Sequence, residues 1–175
     1  MTLAARRRES TGSMNEVRCF GCGALVLDVD GPTHDYMLAA PGCWALYCSL
    51  EDWKSHLAMP GAVAVVQDLV DAYAAQHPAH ADRRNRQSVA IHLMSLCLAL
   101  ERGGSGALRR SSLGRWAHRE YPQLQPYPSR YEVTVREIAD AGRDGDRVTV
   151  IKQMTASTWS SWAAHHPAVR GWLDA

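Results

Sequence analysis

A chain of 175 residues, 46% hydrophobic and 21% charged, is long enough for one domain with a real core and has the composition of an ordinary globular protein. Its 19 Lys and Arg against 18 Asp and Glu leave a net charge of +1, which argues against a dedicated nucleic-acid or membrane-surface binder. No apolar run approaches the roughly 18 residues that a spanning helix needs, so no membrane partner is expected and a cytoplasmic location follows by default.

Residues 1–13 are polar, carry Arg6, Arg7 and Arg8, and lack the apolar core of a signal peptide. They read as a disordered leader, with Met14 as an alternative start. Residues 14–175 then form a single helical domain that includes a knuckle over residues 17–45. The odd count of five cysteines fits metal ligation or free thiols better than a disulfide framework.

Val17 to Val29 alternates loosely in polarity and carries Cys19 and Cys22, two residues apart, with Gly21 and Gly23 beside them. That pattern predicts a short hairpin or knuckle, its glycines letting backbone N–H groups approach thiolate sulfur. Asp30, Gly31 and Pro32 are turn chemistry. After Pro41 and Gly42, a helix is expected from Cys43 to His56, burying Trp44, Tyr47 and Leu50. A second helix is expected from Ala62 to Gln76 and ends at His77, because a residue before proline avoids the helical region. Ala79 to Arg84 reads as a polar loop.

The clearest periodicity runs from Asn85 to Glu101, where Val89, His92, Leu93, Leu96 and Leu100 make one stripe and Gly103 follows. Residues 103–130, rich in Gly, Ser, Arg and Pro, read as loop with one short helix from Leu113 to Tyr121. Thr134 to Glu137 is a capping box opening a helix to Ala141. A last helix is expected from Asp146 to His165, its face made of Val148, Ile151, Thr155, Trp159, Trp162 and His166. The fold class is therefore all-α, a bundle of four or five helices with a small N-terminal zinc knuckle.

Cys19, Cys22 and Cys43 have structural-zinc spacing and require a fourth donor. Cys48 is one candidate, but within a helix five residues turn the chain by about 140°, so Cys43 and Cys48 would point apart. His34 lies in the same loop and closes only a short segment. His77 is a rival, because loop-closure entropy grows slowly with length. Cys97, on an apolar face, reads as a small buried hydrophobe.

Among the other polar residues, Tyr73 and His77 are neighbours at i,i+4 on one helix face and could position a substrate or shuttle a proton. His92 sits among leucines and needs a partner to offset its desolvation. His166 follows two tryptophans. Arg83, Arg84 and Arg86, like Arg109 and Arg110, read as solvated surface.

Taken together, Cys19–Phe–Gly–Cys–Gly23, Gly31–Pro–Thr–His–Asp–Tyr36, Pro41–Gly–Cys–Trp44, Asp71–Ala–Tyr–Ala–Ala–Gln–His–Pro78, Ser88–Val–Ala–Ile–His–Leu93 and Trp162–Ala–Ala–His–His166 resemble an uncharacterised, mainly bacterial family of unknown function. The resemblance covers most of the chain from about residue 17. It implies ligand roles for Cys19, Cys22 and Cys43 and favours a histidine over Cys48 as the fourth. It implies no reaction.

Two functions are therefore weighed. One is a small zinc-dependent enzyme acting on a small molecule, with Cys19, Cys22, Cys43 and His34 on the metal and His77, His92, Tyr73 and His166 as a catalytic group. The other is a non-catalytic binding or regulatory module with a structural zinc. The near-neutral charge disfavours nucleic acid, and the sequence leaves oligomeric state open.

Overall fold

The computed structural model describes residues 15–79 and 82–175; the expected leader lies outside the described residues. Two short strands, β1 (Glu16–Arg18) and β2 (Leu25–Leu27), pair antiparallel with Val17 opposite Val26. The turn between them holds Cys19 and Cys22. It is closed by the Cys19 amide donating to the Ala24 carbonyl at 2.8 Å and the Gly23 amide to the Cys19 carbonyl at 3.0 Å. Gly23 sits at φ +77°, a left-handed conformation that glycine adopts without steric cost.

The remaining elements are helical: α1 (Pro41–Cys48), α2 (Glu51–His56), α3 (Ala62–Gln76), α4 (Arg83–Arg102), α5 (Gly106–Trp116), α6 (Val135–Asp140), α7 (Asp144–Ser161), a 3₁₀ turn (Ala163–His165) and α8 (His166–Asp174). The fold is thus mainly helical with a small two-stranded knuckle. Where one helix was expected over 43–56, the chain breaks at Ser49 and Leu50. Leu50 is buried at the break, and its carbonyl accepts from the Lys54 amide to start α2. Helix α4 begins inside the expected polar loop because Asp82 caps it, accepting from the Asn85 amide at 2.9 Å.

Helix α5 lies earlier than expected, with Ser105 as its N-cap, accepting from the Leu108 amide. The glycines and serines of that stretch suggested loop. Gly106 is there because α5 presses on α3: a Cβ at Gly106 would sit 2.5 Å from the Ala64 Cα. The Thr134 capping box forms as expected, with Glu137 bonded to both the Thr134 amide and hydroxyl at 2.7 Å.

Helix α3 is the centre of the molecule, packed by α4, α5 and α7. From Asp71 to Pro78 every residue is buried. Three alanines in that run, Ala72, Ala74 and Ala75, let neighbouring backbones come close. One apolar cluster joins the knuckle, α1, α6 and the first half of α7 to Leu69, Ala72 and Tyr73. A second joins Ala75 to the α4 leucines, Trp116, Trp159, Trp162 and Val169. The expected face of the last helix holds for Val148, Ile151, Thr155, Trp159 and Trp162. Leu100, placed in the α4 stripe, is instead 44% exposed.

Candidate metal centre

The knuckle, α1 and the end of α3 converge on four side chains, and their ligand atoms all lie within 4.8 Å of one another: Cys19, Cys22, Cys43 and His77. All are buried, between 0 and 3% exposed. Cys22 Sγ is 3.8 Å from Cys43 Sγ, and Cys43 Sγ is 3.4 Å from His77 Nε2. Tetrahedral zinc with bonds of about 2.3 Å to sulfur and about 2.0–2.1 Å to nitrogen places sulfurs about 3.8 Å apart and sulfur about 3.5–3.6 Å from nitrogen. The donor set and these two edges fit that geometry.

Each ligand is aimed by the local chain. Cys19 and Cys22 sit on the hairpin turn, and the Ala40 amide reaches Cys19 Sγ at 3.4 Å. Cys43 stands in the first turn of α1, two residues after Pro41 starts the helix. His77 follows the last residue of α3, and its Nδ1 donates to the Tyr73 carbonyl at 2.7 Å. A carbonyl only accepts, so Nδ1 carries the ring proton and Nε2 presents its lone pair to the cysteines. The Leu38 amide donates to the His77 carbonyl at 3.1 Å, tying the knuckle loop to the end of α3.

Hydrogen bonding from Cys22 and Cys43 holds the Cys19 thiol far below its ordinary value. The same contacts push its neighbours up, Cys22 to about 12 and Cys43 further, chiefly through their hydrogen bonds to Cys19. Three thiols this close can shed their protons together only if a positive ion shares the charge.

The fourth member of this group is His77, not His34. His34 lies instead against the aromatic rings of Tyr36 (4.3 Å between centroids) and Trp44 (5.1 Å), and burial lowers its pKa. Cys48 is exposed at the end of α1 and takes no part, while Cys97 is buried on α4 as expected. Tyr73 is 1% exposed, stacked between Tyr47 (4.2 Å) and His77 (4.1 Å), with its hydroxyl donating to Cys43 Sγ at 3.7 Å. His166 lies apart, stacked on Trp159 at 3.7 Å and bonded through Nε2 to the Trp159 carbonyl. The four histidine and tyrosine positions weighed as one catalytic group are therefore spread over three places.

His92 belongs to a different constellation, which the sequence pattern did not reveal. Its Nδ1 is 2.8 Å from Asp71 Oδ1, and Asp71 is wholly buried. Gln67 Nε2 donates to Oδ1 at 2.8 Å, the Ser95 hydroxyl to Oδ2, and Arg109 Nη1 approaches Oδ2 at 3.5 Å. Arg109, expected on the surface, is 1% exposed; its Nη2 pairs with Asp68 at 2.7 Å and donates to the Ala64 carbonyl at 3.1 Å. Burial raises the Asp68 pKa, opposed by Arg109. The sequence signals were His92, set among leucines and in need of a partner, and Asp71, a charge set between Leu69, Ala72 and Tyr73 in a helix otherwise fit to be buried.

Fold and site thus define a mainly helical protein with a buried Cys3His cluster able to hold a metal ion. Residues 17–163 match the model of a family of unknown function, DUF5946, and the chain belongs to that family. No curated protein matches it, and no solved structure does.

Proposed function

We propose that Cys19, Cys22, Cys43 and His77 bind one Zn2+ in a closed structural site, and that the protein is a helical binding or regulatory module held in shape by that ion. The observation that carries this reading is the complete burial of a four-donor set supplied by the chain itself. A catalytic zinc keeps a coordination position for water or substrate, whereas a structural one is saturated by protein. Three thiolates also donate so much charge that the ion is a weak Lewis acid. His77 has neither ring nitrogen left for proton transfer, since Nδ1 holds the Tyr73 carbonyl and Nε2 faces the cysteines.

The metal would join three elements distant in sequence: the hairpin, α1 and the end of α3. Zinc binding to such sites is worth about 10–16 kcal/mol in small metal-dependent folds, enough to order a hairpin with only three paired positions. Metal analysis of the purified protein and absorption spectroscopy of a cobalt-substituted sample test the reading. One ion per chain and a four-coordinate, thiolate-rich spectrum unmoved by azide are expected. A spectrum that azide perturbs would reveal an open position and restore the metal-dependent enzyme.

A further inference from the structure

Tyr73 touches the Cys3His cluster twice. Its backbone carbonyl accepts from His77 Nδ1 at 2.7 Å, and its side-chain hydroxyl donates to Cys43 Sγ at 3.7 Å. The ring between these contacts is 1% exposed and lies against His77 at 4.1 Å and Tyr47 at 4.2 Å. A buried phenol needs a hydrogen-bond partner. Among the described residues that partner is the Cys43 sulfur alone, in a group whose four ligand atoms lie within 4.8 Å of one another. Tyr73 therefore fixes the tautomer of one cluster member and meets the sulfur of another.

The charge of a loaded cluster gives the second contact its use. Three thiolates and a neutral imidazole around a divalent ion leave one net negative charge, and all four side chains are buried. Such a charge is costly unless hydrogen bonds meet it. The Ala40 amide reaches Cys19 Sγ at 3.4 Å, and the Tyr73 hydroxyl reaches Cys43. Of these two donors only the hydroxyl comes from a side chain. A hydrogen bond to a charged sulfur is stronger than one to a neutral thiol. The hydroxyl thus stabilises the thiolate of the loaded state more than the thiol of the empty one, and that difference appears as metal affinity.

We propose that Tyr73 is a positioning residue for the metal: its hydroxyl holds the Cys43 thiolate and raises affinity for the ion, while its carbonyl keeps the His77 lone pair turned to the cysteines. Partners placed one layer outside the ligands orient them and tune the ion they hold. The inference rests on the closed-site reading above and adds to it a residue that is not itself a ligand. It also gives Tyr73 a task other than moving protons to a substrate, since its ring is enclosed and its hydroxyl is given to sulfur.

The test compares the full-length wild type with Tyr73→Phe, which keeps the ring, its neighbours and the backbone carbonyl and removes only the O–H. Tyr47→Phe is the control, deleting a hydroxyl from the adjoining ring that has no hydrogen-bond partner among the described residues. Zinc affinity of Tyr73→Phe, read by chelator competition, should fall about 10–100-fold, as it does when a contact behind a ligand is lost. The sulfur-to-cobalt charge-transfer band of its cobalt form should move to lower energy. Tyr47→Phe should match wild type in both. Wild-type affinity, an unmoved band, or an equal loss in Tyr47→Phe would overturn the proposal. If Tyr73→Phe fails to fold, the wild type still decides. Loaded with cadmium-113, its Tyr73 hydroxyl proton should exchange slowly and couple to the metal through the Cys43 sulfur; a fast-exchanging, uncoupled proton overturns the role. A wild type that takes up no ion, or whose cobalt spectrum azide perturbs, would remove the closed site as well. A closed wild-type site with an indifferent Tyr73→Phe removes only Tyr73.

Discussion

His77 Nε2 stands 3.4 Å from Cys43 Sγ while its Nδ1 donates to the Tyr73 carbonyl one turn back on the same helix. One side chain thereby serves as cap and as a member of the Cys3His cluster. The last carbonyls of a helix lack intrahelical donors. In α3 they are met by His77 at Tyr73 and Ala74, and by Tyr131 and Trp162 at Ala75. A helix end fixed this thoroughly holds its imidazole in place before any metal arrives.

Replacing the two candidate histidines separately should give opposite results. His77→Ala is expected to lose most bound metal and to loosen the knuckle, whereas His34→Ala should keep one ion per chain. Metal content after dialysis checks this. Retained metal in His77→Ala alongside loss in His34→Ala would reverse the ligand assignment.

Gly21 is expected to be intolerant of any side chain. A Cβ there would lie 2.5 Å from the Leu38 carbonyl oxygen and 2.7 Å from His77 Cδ2. Gly21→Ala must therefore push the knuckle away from the very ring that completes the cluster. Weaker zinc retention in a competition assay with a chromogenic chelator is the expected outcome. Affinity equal to wild type would mean that the hairpin yields without cost.

Chelation should act regionally. Removing the ion with a strong chelator should expose the amides of β1, β2 and α1 to hydrogen exchange, since their packing to α3 runs through the cluster. Amides of α4 near Leu93 and Leu96, buried in the second apolar cluster, should stay protected. Uniform loss of protection would instead show that the whole fold depends on the metal.

Arg109→Ala should be severe, because Asp68 and Asp71 would lose the cation they share. Breaking a buried pair by removing one partner costs about 3–5 kcal/mol, and urea denaturation would read it. Arg110→Ala, one residue on and exposed, should fall within about 0.5 kcal/mol of wild type.

Glu101 provides a pH-dependent clamp between α4 and α8. Its carboxylate receives Arg170 at 2.7 Å twice and Trp159 Nε1 at 3.0 Å, and Arg170 holds its pKa down to about 2 from 4.5. A depressed carboxyl contributes stability that is fully present above 4.5 and fades as pH falls through about 2. The Tm gap between wild type and Glu101→Gln should thus be constant near neutrality and close across that acid window. A gap that persists at the acid end would show that packing, not charge, carries the clamp. The ion pair is open to solvent, so its contribution should be small.

The sequence by itself determined the elements whose signals are local. The CxxC turn, the span of α3 and the Thr134 capping box depend on neighbours a few residues away. It also marked Cys19, Cys22 and Cys43 as ligands through their spacing. It could not choose between His34 and His77, because closing the longer loop costs little more entropy. Only the tertiary structure decided that choice, by packing the knuckle on the end of α3 and turning His34 to the aromatic rings of Tyr36 and Trp44. The burial of Arg109 was likewise invisible. Arg110, Ser111 and Ser112 follow it in the chain, and the carboxylates that hold it lie on another helix, 38 and 41 residues away. Long-range pairing of charge leaves no periodic trace in a sequence, and for that reason the Asp71–His92 constellation emerged only in three dimensions.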